Sequence, residues 1–113
     1  KNLGLAISSA DCPAIFIYDP VQEVIAAVHS GWRGTEKKIV KKTIQKLQDD
    51  FDLNPSDMIC YVGPSISQFN YEVGEEVASK FDSEFVKKDK ICLKKKKTKN
   101  KHHMCMTWVI KSL

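Results

Sequence analysis

Apolar positions along the chain fall into short clusters separated by polar punctuation, and their spacing changes from strand-like to helix-like and back. Residues 3–7 form a short apolar run closed by Ser8, Ser9, Ala10 and Asp11, which reads as a strand followed by a loop. Pro13 opens residues 14–18, rich in β-branched and aromatic side chains, and a proline's missing N–H is tolerated at a strand entry. Asp19 and Pro20 mark a turn, after which Val24, Ile25, Ala26, Ala27 and Val28 make an unbroken apolar run, the pattern of a strand buried on both faces. Gly31 and Gly34 bracket Trp32 and Arg33, and Thr35 has the chemistry of a helix N-cap with Glu36 in the first turn. From there Val40, Ile44, Leu47 and Phe51 recur at helical spacing, which predicts a helix laid on a sheet with Lys37, Lys38, Lys41 and Gln45 in water. Asn54, Pro55, Ser56 and Asp57 break it. Residues 58–62 then read as a short strand with Cys60 in the core, ending at Gly63 and Pro64, and Val77, Ala78 and Phe81 predict a short amphipathic helix over residues 75–81. Strands alternating with helices give an expected α/β (α+β) fold, a mixed sheet with packed helices.

Length and composition narrow this picture. A chain of 113 residues, 42% hydrophobic and 28% charged, is one ordinary globular domain. No run approaches the ~18 apolar residues of a membrane span, and the first residues lack a signal-peptide pattern, so a cytoplasmic location without a membrane partner is expected. Four cysteines at irregular spacing are expected to be reduced thiols. Charge divides the chain sharply. Residues 1–86 hold eight Lys/Arg against thirteen Asp/Glu, a net −5, whereas residues 87–113 hold ten against one, a net +9. Lys94 to Lys97, Lys99 and Lys101 form a like-charge block that repels itself, so residues 87–113 are expected to be a disordered tail outside the ordered core. Nucleic-acid binding would rest on that tail alone, and nucleic acid is not an expected partner of the acidic folded part.

The chemistry-bearing residues cluster around the first turn. If residues 14–18 and 24–28 form a hairpin closed by a loop over residues 19–22, Tyr18 opposes Glu23 and, in the same register, Cys12 opposes His29. Opposed residues share a face with Cβ atoms ~4.5–5.5 Å apart, so thiol and imidazole are expected to meet at the open end. Such a pair makes either an activated nucleophile or two ligands of one metal ion, while a buried cysteine and a hydrogen-bonded structural histidine are the plainer alternative. Directly after His29, two glycines permit close backbone approach, and Arg33 is suited to grip a phosphate or carboxylate in a bidentate manner.

Ala10-Asp11-Cys12-Pro13, Val28-His29-Ser30-Gly31-Trp32-Arg33-Gly34-Thr35, Gly63-Pro64-Ser65-Ile66 and Tyr71-Glu72-Val73-Gly74 together resemble the YfiH-type laccase-domain family over residues 1–86. Members of that family are described as polyphenol oxidases, as purine nucleoside phosphorylases with adenosine deaminase activity, and as a peptidoglycan editing factor. The resemblance implies an α/β/β/α sandwich of which this chain is a fragment, and a zinc ion bound by one cysteine and two histidines. Cys12 and His29 match the cysteine and the second histidine; the first would lie upstream of Lys1, and His102 and His103 do not stand in its context. Asp11, Trp32 and Arg33 would neighbour the site as substrate-binding residues, Cys12 and His29 would be catalytic, and the substrates would be purine nucleoside with phosphate or water. The implied activity is a zinc-dependent nucleoside phosphorylase and adenosine deaminase, a transferase and hydrolase, nearly inactive as a fragment. A copper-dependent phenol oxidase and a non-enzymatic fragment with a basic nucleic-acid-binding tail are the alternatives. Uncovered sheet edges also point to self-association as a homo-oligomer. After residue 90 the family pattern continues as strand and helix, whereas this chain runs Ile91-Cys92-Leu93-Lys94 into lysines, the mark of a divergent or frame-shifted end.

Overall fold

A computed structural model describes residues 2–81, 93–95 and 101–104. Its first sheet is built from β1 (Ala14–Asp19), β2 (Val24–His29) and β3 (Ile59–Val62), ordered β2-β1-β3 with both pairings antiparallel. Helices α1 (Trp32–Glu36) and α2 (Ile39–Phe51) follow β2, and a 3₁₀ turn (Pro55–Asp57) leads into β3. Beyond β3 come β4 (Glu72–Gly74) and α3 (Glu75–Ala78), then β5 (Leu93–Lys95) and β6 (Lys101–Met104), which join β4 in a second antiparallel sheet ordered β4-β6-β5.

Alternation in β1 sets the layers. Ile15 and Ile17 are buried and point to the helix side with Val28 of β2, where Val40 and Leu47 of α2 and Leu53 close the core; Val24, Ala26, Ile39, Ile44, Met58 and Val62 pack around it. Full burial of such a side chain contributes about 1.5–3 kcal/mol each, so this cluster is the main cohesive element of residues 14–62. A smaller cluster of Val73, Val77, Ala78 and Phe81 carries Trp32 and Tyr71 on its flank.

Several expectations are corrected here. Residues 3–7 are not a strand: no described segment pairs with their backbone, and Leu3 and Leu5 are exposed. β2 is an edge strand buried on one face only, with Ile25 49% exposed, because no described helix or strand packs on the opposite side of the sheet, where Leu5 lines a shallow hollow with Phe16, Tyr18 and Ile25. Cys60 is exposed rather than core: it stands across from Ile17 on the other edge strand, while α2 lies toward β2, and partial burial still pushes its thiol pKa up. Thr35 does not cap a helix. α1 starts three residues earlier behind Gly31, Thr35 is buried within it, and Lys38 in the left-handed conformation (φ 56°) separates α1 from α2. The lysine-rich tail contributes β5 and β6, since strand pairing uses backbone groups that every residue but proline carries; the remainder of the expected disordered segment lies outside the described residues.

The hairpin register differs by two from the expected one. Asp19 is the last residue of β1, almost wholly buried, and its carboxylate accepts from the N–H groups of Val21 (2.9 Å) and Gln22 (2.7 Å). That bonding moves the loop to residues 20–23, with Glu23 at φ 55° turning the chain back, so Ala14 rather than Cys12 opposes His29. A shift of two conserves faces.

Candidate functional site

The ladder between β1 and β2 runs one step past the strands, with the Ser30 N–H donating to the Pro13 carbonyl at 2.9 Å. In this register the residue across from Cys12 is Gly31. The missing side chain is the decisive feature: a Cβ on Gly31 would stand 3.3 Å from Cys12 Sγ and 3.5 Å from His29 Nε2. Thiol and imidazole therefore converge on one point, as the parity argument expects, with a glycine's empty volume between them. Cys12 is half-buried and His29 exposed, which places the pair at the mouth of the sheet.

Each partner is held from behind. The His29 Nδ1–H donates to the Ser8 carbonyl at 3.2 Å, since a carbonyl only accepts, and Nε2 is the ring nitrogen that borders the Gly31 gap together with Cys12 Sγ. The Cys12 N–H donates to the Ala10 carbonyl (2.9 Å), and the Ser9 hydroxyl donates to the Cys12 carbonyl (2.6 Å). Asp11 takes up φ 69°, tolerable for an aspartate, and its carbonyl accepts from the Ile66 N–H at 2.9 Å, tying the Gly63-Pro64-Ser65-Ile66 segment to the site. On the other flank, the buried Thr35 hydroxyl lies 2.8 Å from the Ser30 hydroxyl and donates to the Gly31 carbonyl at 2.9 Å, fixing the backbone that carries the gap.

Asp11 and Arg33, which neighbour the pair in sequence, are exposed, and Trp32 is half-buried. The Arg33 guanidinium carbon lies 4.2 Å from the centre of the Trp32 ring. Tyr71, to which sequence reasoning assigned no role, packs with Trp32 against the Val73, Val77, Ala78 and Phe81 cluster, and burial first, then Cys12, push its phenol pKa up. The only signal was its place in the Tyr71-Glu72-Val73-Gly74 motif; its packing with Trp32 on one cluster is a tertiary arrangement. His102 and His103 lie in β6, across from Val73 and Glu72 respectively.

A thiolate sulfur with an imidazole nitrogen whose other nitrogen donates to a carbonyl is the donor chemistry of a zinc site and of its outer hydrogen bonds. The chemistry fits, but the count is short: among the described residues no three His, Cys, Asp or Glu side chains gather as a metal-binding group.

A family model described as multi-copper polyphenol oxidoreductase laccase matches residues 1–112. The chain belongs to that family. Membership extends through the lysine-rich segment, beyond the 86 residues over which the motifs alone carried the resemblance. Among relatives of this laccase family, the chain is 40% identical over 100 residues to a protein of Bacteroides thetaiotaomicron named purine nucleoside phosphorylase, covering 88% of this chain and 37% of that one. It is 40% identical over 77 residues to purine nucleoside phosphorylase YlmD of Bacillus subtilis, covering 68% and 28%. The hypothetical protein YfiH of Bacillus licheniformis has the same fold, with a TM-score of 0.81 at 23% identity over 92% of this chain and 39% of that one. YlmD of Geobacillus stearothermophilus gives 0.79 at 21% identity, over 91% and 38%. The chain thus spans well under half the length of these laccase-family proteins.

Proposed function

We propose that the Cys12–His29 site serves phosphorolysis of purine nucleosides, with adenosine deamination as a second reaction of the same centre. The observation that carries this reading is the convergence of Cys12 Sγ and His29 Nε2 on Gly31 in a chain 40% identical to relatives named purine nucleoside phosphorylase. In phosphorolysis a phosphate oxygen bonds to the ribose C1′ as the bond from C1′ to the purine nitrogen breaks, and the purine leaves with the electron pair and a proton. In deamination, water adds at the purine carbon bearing the amino group and ammonia leaves.

Cys12 and His29 would supply two ligands to a zinc ion, with a further one from outside the described residues. When bound, zinc supplies Lewis acidity toward an oxygen ligand. Arg33 offers phosphate an exposed planar fork, and Asp11 an exposed acceptor for ribose hydroxyls. The family description favours copper oxidation as a second reading. Against it stands the donor set at Gly31: one sulfur with one imidazole, Cys12 and His29, suits zinc.

The test incubates inosine or adenosine with phosphate and zinc, comparing this chain, a longer polypeptide restoring the upstream histidine of the family, and that longer form with Cys12→Ala. The expected outcome is free base from the longer form, at least about a hundredfold less from Cys12→Ala, and little from the chain alone, because two protein ligands hold zinc weakly. A zinc-loaded longer form that releases neither base nor ammonia would overturn the nucleoside reading.

A further inference from the structure

We infer that Trp32 is a positioning residue for an oxyanion receptor: its ring holds the Arg33 guanidinium by the flat face and leaves the in-plane N–H donors free for inorganic phosphate. The inference rests on the phosphorolysis reading for the identity of the anion, and it assigns Trp32 a function that the reaction itself does not require.

Three observations carry it. The Arg33 guanidinium carbon lies 4.2 Å from the Trp32 ring centre, well inside the range of a cation–π contact. Among the described residues no carboxylate pairs with Arg33, although its charge is exposed. An arginine held by an ion pair spends its donors on the partner, whereas one held by stacking keeps all five, directed outward in the plane that a phosphate approaches. The platform is itself anchored, since Trp32 packs with Tyr71 against Val73, Val77, Ala78 and Phe81.

Sequence position completes the argument. Trp32 directly follows Gly31, the residue against which Cys12 Sγ and His29 Nε2 meet, so the platform that carries Arg33 is joined through one peptide bond to the backbone of that pair. A freely rotating arginine would lose rotamer entropy on gripping phosphate; one already seated on an aromatic ring has lost most of it beforehand. Mere solvation of a surface charge would need neither the ring nor its anchorage.

The experiment titrates the whole chain with inorganic phosphate by calorimetry at constant ionic strength, with chloride as the control anion. Variants are Arg33→Ala, Trp32→Leu and Trp32→Phe, each checked for fold by circular dichroism. Trp32→Leu is expected to weaken phosphate binding about fivefold, Trp32→Phe to restore most of it, and Arg33→Ala to abolish saturable binding. In the active longer form, the same Trp32→Leu change raises KM for phosphate while leaving KM for nucleoside unchanged, a split that a general packing defect does not produce. Should Trp32→Leu disturb the fold, Trp32 fluorescence in a Trp108→Phe background replaces it: phosphate, but not chloride, is expected to change the emission only when Arg33 is present. Phosphate affinity unaltered in folded Trp32→Leu, or Trp32 emission indifferent to phosphate, overturns the positioning role and leaves the phosphorolysis reading standing. Undiminished binding in Arg33→Ala, or none in the unmodified chain, overturns the phosphate assignment of Arg33 and this inference with it.

Discussion

At the scale of single residues, the molecule turns on a side chain that is missing. Gly31 has ordinary extended backbone angles, φ −68° and ψ 174°, so its role is volume rather than conformational freedom. Alanine there suits the backbone and strikes only the site, with its Cβ in the space between sulfur and nitrogen. Gly31→Ala is therefore expected to leave the melting temperature nearly unchanged and to weaken zinc binding at least about tenfold, measured by competition with a chromophoric chelator. Equal affinity in both proteins would show that the metal, if any, lies elsewhere. The Cys12–His29 partnership was legible in the sequence because strand parity survives an even error: the loop position was wrong by one residue at each end, and the faces still agreed. Tyr71 was not legible, since nothing local to it indicates that it packs with Trp32 on one apolar cluster.

At the scale of elements, the turn from β2 into α1 does the positioning. Thr35 reads as an N-cap by residue type, yet its hydroxyl serves the preceding turn from inside the helix, bonding to Ser30 and Gly31 while fully buried. Propensity describes what a threonine can bond to; which backbone lies within reach is decided by packing. Thr35→Val keeps the shape and deletes the hydroxyl, leaving the buried Ser30 hydroxyl without that partner, while the Gly31 carbonyl keeps only the Thr35 N–H. The expected cost is about 1–3 kcal/mol in urea unfolding, with loss of zinc affinity as the Gly31 backbone loosens. A variant as stable as the parent would assign these bonds no structural weight. The α2 stripe of Val40, Ile44 and Leu47 was read correctly because helical spacing is a local property; Phe51, its fourth member, is 52% exposed at the helix end.

At the scale of the whole molecule, the described residues cover one face of the sheet with α2 and leave the other largely open, with only Leu5 beside Phe16, Tyr18 and Ile25. On the side away from α2, Phe16 stacks near Tyr61 (centroids 6.4 Å apart), and Tyr18, Ile25 and Ile59 are likewise 42% exposed or more. Apolar surface of this extent drives association, so the isolated chain is expected to self-associate, and Phe16→Lys with Tyr61→Lys to shift it toward monomer in sedimentation velocity. A monomeric parent would refute that expectation. The same face explains why β2 was misread. Its unbroken apolar run correctly reported a strand with hydrophobic residues on both sides, but whether a second layer lies over it is not a property of the run. By itself the sequence determined the order of strand, turn, strand and helix, the shared face of Cys12 and His29, and the family to which they belong, because periodicity and short motifs are encoded within a few residues of each other. Only the tertiary structure decided the register of the hairpin, the gap at Gly31, the packing of Tyr71 with Trp32 and the seat of Arg33 on Trp32. Each of these depends on which distant atoms compete for the same space, and a one-dimensional pattern carries no record of that competition.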